Sequence, residues 1–180
     1  MFFEAINGLP TPVAQLIKFL LLSLLVSSSG FLIGEMIPRR VYDYKAFPFK
    51  PFEWEMSGHV YAKIGIQYWK GYVPDISRMV KSVFSKRITN PRDPVCILRL
   101  IIETCNGEIV HYLMMLASPI FLCVLDGYYG IVGMFLFSVI GNFPFAIIQR
   151  YNRPRLIELM ERLSENQHMP ESADKQGETI

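Results

Sequence analysis

The chain has 180 residues, 51% hydrophobic and 19% charged, with 18 basic and 16 acidic side chains giving a formal net charge of +2. That balance excludes a general polyanion-binding surface, and nucleic acid with it, while the hydrophobic content excludes a disordered chain. The charges are also unevenly placed: residues 109–149 hold no lysine or arginine and one acid, Asp126, so the apolar residues form bilayer-like blocks. The three cysteines, Cys96, Cys105 and Cys123, show no C-x-x-C spacing, so neither a disulfide framework nor a zinc site is expected.

The first apolar block runs over residues 13–33 and is interrupted by Lys18 alone. At about 1.5 Å per residue it is long enough to cross a hydrocarbon core. Small residues at 27–30 make cleavage of residues 1–29 as a signal peptide the competing reading. Phe31, Leu32 and Ile33 extend the apolar run past that point and favour a retained span.

Residues 34–108 read as a cytoplasmic interfacial segment. Aromatics such as Tyr42, Phe49, Trp54, Tyr61 and Trp69 are interleaved with lysines and prolines, and rings and long cations both suit the headgroup layer. Packing of the same aromatics into a small cytoplasmic core is the plainer alternative. Asn90-Pro91-Arg92-Asp93-Pro94 predicts a break before a helix near Val95.

Two further spans are predicted at 109–125 and 128–149, joined by Asp126-Gly127 into an antiparallel hairpin. Pro119 and Pro144 each remove a backbone donor, so kinks or locally opened helix are expected there. Twelve lysines and arginines between Gly34 and Glu108 and five from Arg150 onward put both stretches in the cytoplasm, with the N-terminus outside. Asn152-Arg153-Pro154 suits a helix start, and Leu156, Leu159, Met160 and Leu163 repeat at helical spacing. An amphipathic helix is therefore expected over 154–165, with a disordered tail at 166–180.

His111 is the sharpest chemical feature. It stands just inside an apolar span, with Glu108 and Thr104 on its helical stripe and Glu103 nearby. An imidazole supported by Glu108 or Glu103 at the membrane surface is suited to general-base work on a lipid substrate. A histidine that merely bonds between helices is the plainer alternative. Glu108-x-x-His111 also has the spacing of carboxylate-bridged metal sites, but it occurs once, so no metal is expected. Arg150, Arg153 and Arg155, near Gln149 and a helix start, suit phosphate or carboxylate binding; a stop-transfer anchor would need cations without that spacing. Asn142 shares a helix face with Gln149 and extends a polar track into the bilayer. No G-x-S-x-G, P-loop or G-x-G-x-x-G is present, and five residues after His111 stands Leu116, so the His-x-x-x-x-Asp pattern of many glycerolipid acyltransferases is missing.

Trp69-Lys70 followed by Pro74-Asp75, then Ile102-Glu103-Thr104 with Glu108 and His111, and finally Asn142-x-Pro144 leading into Gln149-Arg150-Tyr151-Asn152-Arg153-Pro154-Arg155-Leu156, resemble the glycosyl-4,4'-diaponeurosporenoate acyltransferases. The resemblance covers most of residues 30–160, and its closing motif is the specific part. It implies esterification of a glucosyl carotenoid with a fatty acyl chain, the last step toward staphyloxanthin-type pigments of Gram-positive bacteria. The departures, between Ile76 and Leu100 and in a longer polar tail, bear on the acceptor more than on the fold.

The combined expectation is an all-α integral membrane protein of about three transmembrane helices in a single domain, residues 1–165, located in the cell membrane. His111, Glu108 and Glu103 are the expected catalytic residues. Arg150, Arg153, Arg155, Asn142, Gln149, Trp69 and Lys70 are the expected substrate-binding ones. No bound cofactor is expected, and an activated acyl donor serves as co-substrate. Membrane lipid and a glycosylated carotenoid or other glycolipid are the expected partners, and three helices are few to enclose so large a lipid, which leaves an oligomer open. A noncatalytic scaffold, or a glycolipid- or carotenoid-binding protein, is the alternative function.

Overall fold

The computed structural model describes residues 9–72 and 93–168, and every regular element among them is helical. Helix α1 spans Thr11–Met36. Short turns of 3-10 helix at Arg39–Val41 and Glu53–Gly58 lead into α2, His59–Lys63, and α3, Ile66–Trp69, which ends in a 3-10 turn at Lys70–Tyr72. Then follow α4, Pro94–Ala117, α5, Ile120–Val124, and α6, Tyr128–Phe135. A π-helical turn at Leu136–Ile140 precedes α7, Phe143–His168. Three stretches are long and apolar enough to cross a membrane: Thr11–Met36, Pro94–Val124 and Tyr128–Glu165. The expected Pro74-Asp75 motif, the 90–92 part of the predicted break and the tail beyond His168 lie outside the described residues.

Local chemistry explains where these helices begin and end. The Asp93 side chain accepts from the Val95 amide at 3.0 Å, and Pro94 occupies the first turn, where its missing N–H costs nothing. Pro119 opens α5 after Ser118 has closed α4 by bonding back to Met115. The turn into α6 passes through Gly127 at φ 56°, a conformation that disfavours side chains. The chain thereby reverses within two residues.

Helix α4 begins well before the predicted span at 109, because its polar residues do not end it. Glu103, Thr104, Asn106 and Glu108 are all buried, and each has an intramolecular partner, so the helix carries them inward without breaking. The expected start of a separate helix at Pro154 is likewise not observed: α7 runs straight through it. Arg150 and Arg153, on the turn before the proline, are pinned to α4 and to the 48–55 segment. Those tethers hold the helix across the missing donor.

Helix α1 lies antiparallel to α4. Its first turns meet the hairpin tip, where Gln15 Nε2 donates to Asp126, and its last turns meet Val110 and Asn106. Helices α4 and α7 share the most extensive interface. Leu22, Val110, Met114, Phe121, Leu125 and Phe137 fill the core on the hairpin side; Tyr42, Phe49 and Cys105, and separately Tyr61, Ile66 and Tyr151, fill it at the opposite end. Leu16, Leu20, Leu24, Leu25 and Leu32 of α1 remain exposed, a surface that lipid would cover.

Candidate active site

The end of the bundle away from the hairpin holds a buried chain of four charges. Arg150 donates through Nε and Nη2 to both oxygens of Glu55, at 2.6 Å each, and through Nη1 to Glu108 Oε1 at 2.8 Å. Arg153 donates through Nη2 to Glu108 Oε2 at 2.5 Å, through Nε to Thr104 Oγ1 at 2.9 Å, and through Nη1 to the Phe49 carbonyl at 2.8 Å. Two guanidiniums therefore face two carboxylates, a neutral set that allows burial. Glu55 and Glu108 are each 1% exposed.

Glu55 is the member that sequence reasoning missed. It lies 95 residues from Arg150 in sequence, in a short 3-10 turn, and nothing in helical spacing links the two. A signal was available in Glu53 and Glu55, two acids within an aromatic and otherwise basic segment. Burial alone would raise the Glu55 carboxyl. Hydrogen bonds from Arg150, Tyr61 and the Phe52 amide outweigh that and hold it below its ordinary value. The Tyr61 hydroxyl donates to Glu55, and burial together with that carboxylate pushes its pKa up.

One turn further along α4 stands His111, half-buried. Its Nδ1 lies 3.0 Å from Asn142 Oδ1, and its ring stacks on Phe145 with centroids 4.9 Å apart. Asn142 Nδ2 donates to the Phe137 carbonyl at 2.8 Å, which turns its own carbonyl toward the imidazole. In the neutral imidazole this contact places the proton on Nδ1, which donates to Asn142 Oδ1, and the lone pair on Nε2. The π-helical turn ends just before Asn142 and α7 begins just after it, with Pro144 in its first turn, so the pair sits at a break between helices.

Glu108 and Glu103, the acids expected near His111, each meet an arginine. Both Glu108 oxygens accept from arginines, and Glu103 Oε1 accepts from Arg39 Nε at 2.8 Å. The amide of Asn142 orients the imidazole. Arg39 also donates to the Gly34 carbonyl at 2.7 Å and ties the end of α1 to α4. Of the three arginines expected to meet substrate, Arg150 and Arg153 are internal, and Arg155 reaches the surface. Arg155 borders a groove of about 590 Å³ between α4 and α7, which Gln149 also lines. Lys70 Nζ lies 4.7 Å from the Tyr151 ring centroid, and Trp69 packs beside the same cluster and donates to the Ile64 carbonyl. Burial and the charge of Arg155 lower the Lys70 pKa. Among the described residues no group of three His, Cys, Asp or Glu gathers into a metal-holding cluster.

Fold and site together describe an all-helical, membrane-type protein with an internal charge network and an oriented histidine at one end of its bundle. The family model for glycosyl-4,4'-diaponeurosporenoate acyltransferase matches residues 38–162, and the chain belongs to that family. Curated proteins of that name from Staphylococcus aureus strains N315, bovine RF122 / ET3-1 and USA300 are each 31% identical over 134 residues, covering 73% of this chain and 79% of theirs. No solved structure matches. The matched region contains Glu55, His111, Asn142, Arg150 and Arg153, and it begins after α1.

Proposed function

We propose that this protein is a membrane acyltransferase that esterifies a sugar hydroxyl of a glycosylated carotenoid, glycosyl-4,4'-diaponeurosporenoate, with a fatty acyl chain. The observation that carries the reading is the His111–Asn142 pair, an imidazole with a fixed tautomer at the polar end of an apolar bundle. The family name supplies the reaction class and the acceptor.

His111 Nε2 removes the hydroxyl proton as the sugar oxygen attacks the acyl carbonyl. The new ester C–O bond forms, the bond to the donor's leaving group breaks, and the imidazolium returns the proton to the departing group. Asn142 accepts from Nδ1–H throughout and stabilises the charge that develops on the ring. Glu108, Arg150 and Arg153 are positioning residues: they fix α4 against α7 and so fix the distance between His111 and Asn142. Glu103 does the same for α1 through Arg39. The polyene lies along the apolar helices and the sugar at the interface. The bias of cations supports a cytoplasmic position for this end and an outside position for the hairpin tip.

The test is co-expression with the enzymes that make the glycosylated acceptor, followed by lipid extraction and mass spectrometry. An acyl ester that depends on this chain and on the acceptor's sugar is expected. Ester formation that is identical without the chain overturns the reading in favour of a scaffold or binding protein.

A further inference from the structure

The buried network leaves two cations outside its charge balance. Lys70 Nζ and Arg155 Cζ stand 4.7 and 5.0 Å from the centroid of the same Tyr151 ring, and Arg155 donates to the Tyr151 hydroxyl. Neither has a carboxylate partner among the described residues, whereas Arg39, Arg150, Arg153 and Arg162 each have at least one. Like charges drawn to one ring repel, and partial burial of Lys70 adds a desolvation cost. An anion that meets both relieves both penalties.

The setting narrows the anion. Arg155 stands on the wall of the groove between α4 and α7, which is also lined by Leu100, Leu156 and Leu159. The Arg155 guanidinium beside three leucines, with the Lys70 ammonium on the same Tyr151 ring and the groove's carboxylate Glu158 paired with Arg162, matches a ligand with a phosphate at one end and an acyl chain at the other. A phosphate has oxygens enough to meet both cations at once, as the Glu108 carboxylate does for Arg150 and Arg153.

We propose that Lys70 and Arg155, gathered on Tyr151, bind the phosphate of an acyl-bearing amphiphile whose chain enters the groove along Leu100, Leu156 and Leu159. The proposal deepens the acyltransferase reading, because a phosphate-bearing activated acyl group is one source of that chemistry and a bilayer phospholipid is the other. Arg155 stands on α7, the helix that begins directly after Asn142, toward the interfacial end where an acyl donor must arrive.

The experiment measures binding to the full chain in maltoside micelles, without turnover. The probes are hexadecyl-coenzyme A, a thioether that cannot transfer its chain, phosphatidylglycerol, and neutral diacylglycerol as control. Lys70→Gln and Arg155→Gln should each weaken phosphate-bearing probes about tenfold, the weight of one charge-assisted hydrogen bond, and leave diacylglycerol unaffected. Weakening confined to the coenzyme thioether identifies the acyl donor as the source; weakening of both probes identifies a headgroup site. Equal binding by variants and wild type overturns the proposal. Should a variant fail to fold, amine-reactive footprinting of Lys70 in the wild type decides the matter: protection by the phosphate probes supports the site, and labelling unchanged by them overturns it. If the two cations prove silent while His111→Ala still abolishes acylation, this inference falls and the acyltransferase reading stands. If binding depends on them but acylation ignores His111→Ala, the proposed catalytic base falls alone.

Discussion

Glu108 Oε2 accepts from Arg153 Nη2 at 2.5 Å, and both side chains are 1% exposed. Removing one partner of such a pair leaves a buried charge uncompensated, which costs roughly 3–5 kcal/mol. Glu108→Gln should therefore lower the thermal unfolding midpoint of the purified protein sharply. The double variant Glu108→Leu/Arg153→Met restores neutrality, since Arg150 still faces Glu55, and should recover most of that loss. Additive losses in the double variant would show that the pair is not coupled.

The second prediction concerns pH. The Glu55 carboxyl is held below its ordinary value in the folded state, so its contribution to stability is present above the unfolded pKa of about 4.3 and is lost as pH falls through the folded value. Its partners Arg150 and Tyr61 remain protonated across that window. Acidification below pH about 4 should release the 48–55 segment from α7, read as new proteolytic cleavage there. Glu55→Gln should already be cleaved at neutral pH and show a flatter profile.

A third prediction separates two glycines of α1. A Cβ at Gly34 would stand 2.4 Å from Val110 Cγ2, on a short branched side chain with little freedom to move. At Gly30 the Cβ would meet Met114 Cε at 2.6 Å and Cγ at 2.8 Å, on an unbranched side chain that has more freedom to swing aside. Gly34→Ala should therefore destabilise by about 1–3 kcal/mol and Gly30→Ala by clearly less. Thermal unfolding of the two variants side by side checks the order.

A fourth prediction tests the orienting amide. Asn142→Ala removes the acceptor for His111 Nδ1–H and should lower the rate of acyl transfer about 10- to 100-fold, the usual weight of a partner that fixes a ring's orientation. Acceptor KM should stay nearly unchanged, because the ring itself remains. A rise in KM alone would make Asn142 a binding residue instead.

The three apolar stretches were legible because hydrophobic length and charge exclusion are properties of a single segment, and Asp93-Pro94 marked the start of α4 for the same reason. What escaped depends on distant partners. Glu55 gains its place from Arg150, and α7 continues through Pro154 because Arg150 and Arg153 are tied to another helix. His111 and Asn142 were both singled out by their polar character at membrane depth, yet only the packed hairpin brings them together across 31 residues. The closing arginines were legible as a cluster, but not that two of them face inward and one outward.

The most direct test of the central claim is acyl transfer by His111→Gln in reconstituted vesicles, followed by mass spectrometry of the ester at equal amounts of folded protein. Loss of the general base should slow the reaction by about 10²- to 10⁴-fold while helical content and thermal unfolding remain near wild type. Ester formation at the wild-type rate would remove His111 from the chemistry and contradict the account.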